Sequence, residues 1–268
     1  MDWRKKSTRR SAATTVKGEG MDMQELMKTC LAHCWPALLG AAVIAYLLGS
    51  VNFAIIVTKL MSKKDIRDFG SGNAGATNVL RSQGPVPAIL TTVGDLAKSI
   101  LSVVIGGWLV SLALEGVPEA ALSGYNVTYL FSLVARYLTG VFCILGHMFP
   151  LYFHFRGGKG VLTTLGMMLI LDWRVALICL GVFIVTVLLS RMVSLGSVLA
   201  AASLPIVTGL FQAFVDGHGS TSPEVVMFCT GMATLIALML ICKHIPNLRR
   251  IAAGTESRLG GKKKQAEP

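Results

Sequence analysis

The sequence predicts an all-α integral membrane protein of about seven transmembrane helices, and two observations carry that reading. Of 268 residues, 53% are hydrophobic and 15% charged, with a mean hydropathy of +0.63, where a soluble domain carries roughly 25% charged residues. The deficit falls in apolar runs close to the ~20 residues that cross a bilayer, more of them than a soluble core needs. A chain in lipid must satisfy its own backbone, which selects helices over open strands. The second observation is that the connections between runs alternate between basic and neutral or acidic.

In chain order the runs lie near Ala37–Met61, Val86–Leu114, Tyr129–Phe153, Val161–Leu171, Val175–Leu189, Leu195–Phe214 and Val225–Cys242. The fourth and fifth are short and separated only by Asp172, Trp173 and Arg174, so they form a tight hairpin or one of them is re-entrant. Residues 37–250 thus read as one membrane domain. Residues 1–36 read as an N-terminal extension, disordered or partly an artefact of the start site, and 251–268 as a basic cytoplasmic tail.

The formal net charge of +11 would suggest nucleic acid in a soluble protein; in a membrane protein its placement reads topology instead. Lys59, Lys63, Lys64, Arg67 and Arg81 follow the first run, Arg156 and Lys159 the third, and Arg191 the fifth; a basic stretch from Lys243 to Lys264 follows the seventh. Positive residues stay cytoplasmic, which puts these four segments and the C-terminus inside. Arg4, Lys5, Lys6, Arg9, Arg10 and Lys17 conflict with an outside N-terminus. An extra re-entrant segment, a translocated tail or a start nearer Met21 or Met23 would each resolve that, and a misplaced start or disordered tail is preferred. No apolar core precedes Ala37, so no cleaved signal peptide is expected. Cys30, His33 and Cys34 have a weak metal spacing, and small apolar packing is the preferred role of the cysteines.

The chemistry is concentrated in the inside segments. Gly70-Ser71-Gly72-Asn73-Ala74-Gly75-Ala76-Thr77-Asn78 leads to Arg81. Glycines let backbone N–H groups approach an anion, Ser71 and Thr77 add hydroxyl donors, and Arg81 adds a bidentate fork. The same glycines match the dinucleotide-binding pattern, with Asp95 downstream, but the strand and βαβ unit that pattern requires are missing. A tight turn would need the glycines but not Ser, two Asn, Thr and Arg among them, so phosphate binding is the better reading.

Gly157-Gly158-Lys159-Gly160 is a flexible cationic turn able to lay Lys159 on a phosphate; it lacks the spacing and the hydroxyl of a Walker loop. His147 sits near a span end, where burial and function are both open. Ser194-Leu195-Gly196-Ser197 is a weaker signal, since small residues also serve close helix packing. His244, Asn247, Thr255 and Glu256 follow the last span on the same side. Asp95 and Lys98, three apart on one helical face, sit inside a span where a charge costs about 2.5–3.5 kcal/mol unless paired or functional. They form a structural brace or a site wall.

Together these segments closely resemble the bacterial acyl-phosphate-dependent glycerol-3-phosphate acyltransferase family, over roughly Ala45 to Leu259. The resemblance rests on Ala45-Tyr46-Leu47-Leu48-Gly49-Ser50, the Gly70–Arg81 loop, Gly94-Asp95-Leu96-Ala97-Lys98, Gly146–Pro150, Gly157–Gly160, Ser194–Ser197 and Gly254-Thr255-Glu256. It implies seven transmembrane helices in the bacterial inner membrane, with the active site at the cytoplasmic face. It also implies acyl transfer from an acyl phosphate to the sn-1 hydroxyl of glycerol 3-phosphate, giving lysophosphatidic acid and phosphate. Ser71, Asn73, Thr77, Arg81, Lys159, His244 and Asn247 carry over residue by residue, with Ser71, Arg81, Lys159 and His244 as the catalytic set. Ala74 and Asn52 stand where the family commonly has proline, Ser99 where it has glycine, and Ile245 where arginine is frequent.

Two phosphates held side by side repel, so cations and fixed dipoles carry most of the expected catalysis. An acyl phosphate is already activated and its leaving phosphate has a pKa near neutrality, so a substrate phosphate is expected to take the hydroxyl proton while His244 orients. No cofactor, metal, nucleic acid or obligate protein partner is expected; membrane lipid is the remaining partner. The alternative is a membrane transporter of a small organic phosphate, which would place its helix breaks at mid-bilayer in repeated halves.

Overall fold

A computed structural model describes residues 23–117, 127–215 and 222–260, and among these there is no strand. The helices are α1 (Met23–Ser50), α2 (Phe53–Ser62), α3 (Ala76–Gln83), α4 (Pro85–Leu114), α5 (Val127–Met148), α6 (Val161–Leu171), α7 (Trp173–Ser190), α8 (Val193–Leu210) and α9 (Pro223–Ala252). Single turns of 3-10 helix at Ile66–Asp68 and Leu151–Phe153 shape two of the connections.

Local signals explain most boundaries. The first run is a helix broken in two at Val51-Asn52, because the Asn52 side chain accepts from Ile55 N at 3.1 Å and restarts the chain as α2. Asn52 therefore does in this chain what a helix-initiating residue must, although proline is expected there. Pro85 opens α4 at the first helical position, where its missing N–H costs nothing. Asp172 caps α7 through Arg174 N at 3.0 Å and pairs with the same arginine's guanidinium.

Among the described residues six helical segments are long and apolar enough to cross a membrane, Met27–Ser62 and Pro223–Ala252 included. The fourth expected span differs: α6 has 11 residues, about 16 Å at 1.5 Å per residue, roughly half a hydrocarbon core. It starts at the glycine turn and ends where Leu171 shares a crevice with Ser111 and Tyr129, and α7 follows directly. Residues 23–36, expected to lie in the extension, belong to α1; Cys30 and Cys34 are buried there against Val110, Leu114 and Phe131. The last span does not end at Cys242 but runs to Ala252 through Pro246; membrane helices tolerate proline where neighbours re-satisfy the freed carbonyl.

The bundle is held by close small-residue contacts, as expected where lipid offers no hydrophobic gain for helix association. Gly49 of α1 and Gly146 of α5 sit backbone to backbone, since a Cβ on either would strike the other helix's main chain. The outward surface is apolar, with Leu60, Leu188, Leu189 and Met227 exposed. A small buried cluster of Ala54, Ile55, Ile66, Ala74, Val79 and Ala88 seats the glycine-rich loop on α2, α3 and α4.

Candidate active site at the glycine-rich end of the bundle

The Gly70–Gly75 loop is built from inside by Asn78. Its side-chain oxygen accepts from Ser71 N at 3.0 Å, and its amide donates to Ile66 O at 3.1 Å and Phe69 O at 2.8 Å. Gly70 and Gly72 take left-handed φ of 58° and 68°, a conformation a side chain would strain. Asn78 thus shapes the loop, with its polar groups committed to backbone, rather than presenting them to a ligand as the sequence suggested. Gly75 caps α3 without a side-chain bond to its first amides, and half-buried Asn73 and Thr77 and exposed Ser71 lie beside that helix start. Helix amides without internal partners are suited to an anion.

The second loop is pinned to the first. Gly158 N donates to His147 O at 3.1 Å, and a side chain on Gly158 would run into the His147 ring and the Ala74 carbonyl. Arg67 joins the two loops from the side: it grips Asp65 bidentately at 3.0 and 2.8 Å, and its remaining nitrogen reaches Phe153 O at 3.0 Å. The Arg67 pairing holds the Asp65 carboxyl below its ordinary range. Between the loops lies a cavity of about 500 Å³ lined by Asp65, Arg67, Asp68, Gly72, His154, Arg156 and Gly157.

Lys159 turns away from that cavity toward α9. Its ammonium donates to the Asn247 side-chain oxygen, Asn247 donates to Glu256 Oε1 at 2.7 Å, and Ser194 Oγ donates to the same oxygen at 2.7 Å. Arg250 Nε completes the carboxylate at Oε2, 2.8 Å away. Burial opposes ionisation of Glu256, but hydrogen bonds from Ser194, Asn247 and Arg250 hold its carboxyl below the ordinary range. Lys159 is brought down to about 8, chiefly by burial; Glu256 opposes the shift and Arg250 and Arg81 add to it. His244, one helical turn before Asn247, is buried with Nδ1 2.8 Å from Leu240 O.

Glu256 reaches this position because α9 ends in a glycine. Gly254 adopts φ of 69°, and Thr255 N closes onto Arg250 O at 2.8 Å, a left-handed helix stop that reverses the chain. Residues 254–259 then lie back as a strap, with Arg81 Nη2 on Ser257 O at 3.5 Å and Leu259 N on Arg191 O at 2.7 Å. The part of the C-terminal tail within the described residues is therefore packed against the site.

Asp95, Lys98 and His147 lie behind the glycine turn, all nearly sealed. Lys98 Nζ donates to Gly49 O at 3.0 Å and Val51 O at 2.8 Å, pairs with Asp95 Oδ1 at 2.9 Å, and lies 3.0 Å from His147 Nδ1. Gly49 and Val51 are at the break between α1 and α2, where carbonyls lose their helical partners, and Lys98 supplies donors to them.

The structure thus brings Lys159, His244, Asn247, Glu256 and Arg81 together around one rim with the glycine-rich loop. Three of the proposed binding residues stand apart. Asn78 is internal to the loop, Ser197 Oγ donates to Val193 O of its own helix at 3.0 Å, and Thr255 is exposed with its hydroxyl on Arg250 O at 3.4 Å. Asp65 and Arg67 also organise the site and were given no site role from the sequence; Ser194 stood there only within a weak small-residue segment, and Arg250 only within a basic stretch. The Asp65-x-Arg67 pair ahead of the glycines was a usable signal, because an acid and a base two apart in a loop can form a self-contained turn.

A sequence profile described as glycerol-3-phosphate acyltransferase matches residues 29–254. The chain belongs to the glycerol-3-phosphate acyltransferase family. Among its relatives, the glycerol-3-phosphate acyltransferase of Laribacter hongkongensis (strain HLHK9) is 37% identical over 84% of this chain and 98% of its own length. That of Jannaschia sp. (strain CCS1) is 39% identical over 83% and 94%. The fold is similar to the crystal structure of PlsY (YgiH), an integral membrane glycerol 3-phosphate acyltransferase, in its glycerol 3-phosphate form; the TM-score is 0.63, with 33% identity over 83% of this chain and 96% of that one. The lysophosphatidic acid form of the same protein matches with a TM-score of 0.62 at 32% identity. This chain is accordingly a multi-pass membrane acyltransferase of phospholipid synthesis.

Proposed function

We propose that the enzyme moves a fatty acyl group from an acyl phosphate to the sn-1 hydroxyl of glycerol 3-phosphate. The hydroxyl oxygen attacks the acyl carbonyl carbon, the bond from that carbon to the phosphate oxygen breaks, and the hydroxyl proton leaves with phosphate. The products are lysophosphatidic acid and inorganic phosphate. Crystals of the related PlsY hold glycerol 3-phosphate in one form and lysophosphatidic acid in another, a substrate and a product of this transfer.

The observation that carries the reading is the convergence of Lys159, Arg81 and the Gly70–Gly75 loop on one rim, with Asn247 and Glu256 fixing the lysine. Two phosphates brought into contact need fixed positive charge and oriented amides, usually the largest contribution to catalysis. Ser71, Gly70, Gly72, Asn73, Gly75 and Thr77 are assigned to phosphate contact, with Gly157, Gly158 and Gly160 letting backbone approach. Lys159 and Arg81 neutralise charge, and holding hydroxyl and carbonyl in contact contributes several kcal/mol more. His244 orients the acceptor, and a substrate phosphate takes the proton. The rim faces the cytoplasm of a bacterial inner membrane, on the argument that Lys59, Lys63, Lys64, Arg156 and Arg191 all gather at this end.

Detergent-purified protein supplied with palmitoyl phosphate and glycerol 3-phosphate tests the proposal. Stoichiometric lysophosphatidic acid and phosphate are expected, with no product from palmitoyl-coenzyme A. Product from the thioester alone would overturn the donor assignment.

A further inference from the structure

At the end of the bundle away from the glycine loops, α5 carries Arg136 inside the Thr128–Phe153 span. It lies roughly 13 Å along the helix from Val127 and about 18 Å from Met148, at 1.5 Å per residue. Its backbone carbonyl accepts from Thr139, but among the described residues its guanidinium has no ion pair and no hydrogen bond. An arginine at such depth is costly unless it pairs or serves a function. Lys98, the buried cation of the same bundle, is by contrast saturated.

The surroundings are built for that guanidinium. A crevice of about 370 Å³ holds it together with Ser111, Thr128, Tyr129, Ser132, Leu133 and Leu171. On the facing helix Gly107 makes the berth: a Cβ there would come within 3.0 Å of Arg136 Nε. Helical side chains lean toward their own N-terminus, which carries the charge up the helix past Ser132 toward Thr128. Arg136 is exposed, and the same two helices display Trp108, Leu112 and Tyr129 outward at 59%, 42% and 49% exposure. A planar cation ringed by hydroxyls and opening sideways between apolar side chains matches a phosphodiester that arrives attached to acyl chains. A free anion would have to leave water to reach the same place.

We infer that the Arg136 crevice between α4 and α5 seats the headgroup phosphate of an anionic membrane phospholipid, at the opposite end of the bundle from the acyl-transfer site. The assignment stands on its own whatever the acyl donor proves to be.

Native mass spectrometry of the detergent-purified full chain, titrated with phosphatidylglycerol, phosphatidylcholine or inorganic phosphate, tests it. The wild type is expected to retain one phosphatidylglycerol at least tenfold more tightly than phosphatidylcholine. Arg136→Gln should lose that preference and Arg136→Lys should keep part of it, while acyl transfer stays within about twofold of wild type in both. Gly107→Val, which keeps the charge but fills its berth, should lose the preference too, and it decides the matter if Arg136→Gln does not fold. Equal phosphatidylglycerol retention in wild type and variants would overturn the site. Inorganic phosphate displacing the lipid at equal concentration would overturn the lipid assignment in favour of a free anion.

Discussion

Two polar clusters in this molecule use nearly the same residue types to opposite ends. Lys98, His147 and Asp95 are buried between α1, α4 and α5, and there the lysine has four partners for its three hydrogens. Lys159, Asn247 and Glu256 sit at the rim, where the carboxylate is saturated by Ser194, Asn247 and Arg250 but the lysine has one bond to a neutral amide. A cation with every hydrogen committed can only brace. A cation held by one neutral oxygen, with its acid one residue further off, keeps donors for an incoming phosphate. The contrast teaches that partner count, more than burial, separates scaffold charge from working charge here.

The largest effect expected is at the rim. Lys159→Ala should lower kcat/KM for glycerol 3-phosphate by roughly 100-fold or more, as removal of a positioned donor does, while the melting temperature changes little. Lys98→Met should do the reverse: stranding Asp95 in the interior costs about 3–5 kcal/mol of stability, read as a loss of folded protein in detergent, with the remaining folded fraction active. If Lys98→Met instead kept its stability and lost turnover, the division between brace and working charge would be wrong.

Smaller changes sharpen the same contrast. Glu256→Gln keeps the shape but removes a charge-assisted bond worth about 1.5 kcal/mol, so roughly tenfold lower activity is expected, with Lys159 less well placed. The lowered Lys159 value of about 8 fixes the sign of a pH effect. Below it the ammonium is charged and binds phosphate; as pH rises through it, the charge and the affinity are lost. KM for glycerol 3-phosphate should therefore climb on the alkaline side near pH 8, and Lys159→Arg should move that limb to higher pH. Least affected should be Ser197→Ala, within about twofold in kcat/KM, since its hydroxyl is bound to its own helix at Val193 O.

Much of this architecture was legible in the chain because lipid imposes it: apolar runs, alternating loop charge and small residues set the helices and the end at which the loops gather. Asn78 was misread because an amide among glycines looks the same whether it faces a ligand or folds inward to Ile66 O and Phe69 O. The last run was read to Cys242 because its apolar stretch stops there, whereas α9 continues through Pro246 to Ala252. The roles of Ser194, Arg250 and the strap were hidden because they depend on a reversal at Gly254 that brings Glu256 to helices far away in sequence.

That reversal divides the rim between two distant parts of the chain. The cation comes from the turn before α6, while the acid that fixes its amide partner comes from residues beyond α9. Arg81 Nη2 on Ser257 O and Leu259 N on Arg191 O lay the strap across the helix ends. Displacing residues 254–259 would therefore leave Lys159 on an intact bundle with Asn247 unoriented.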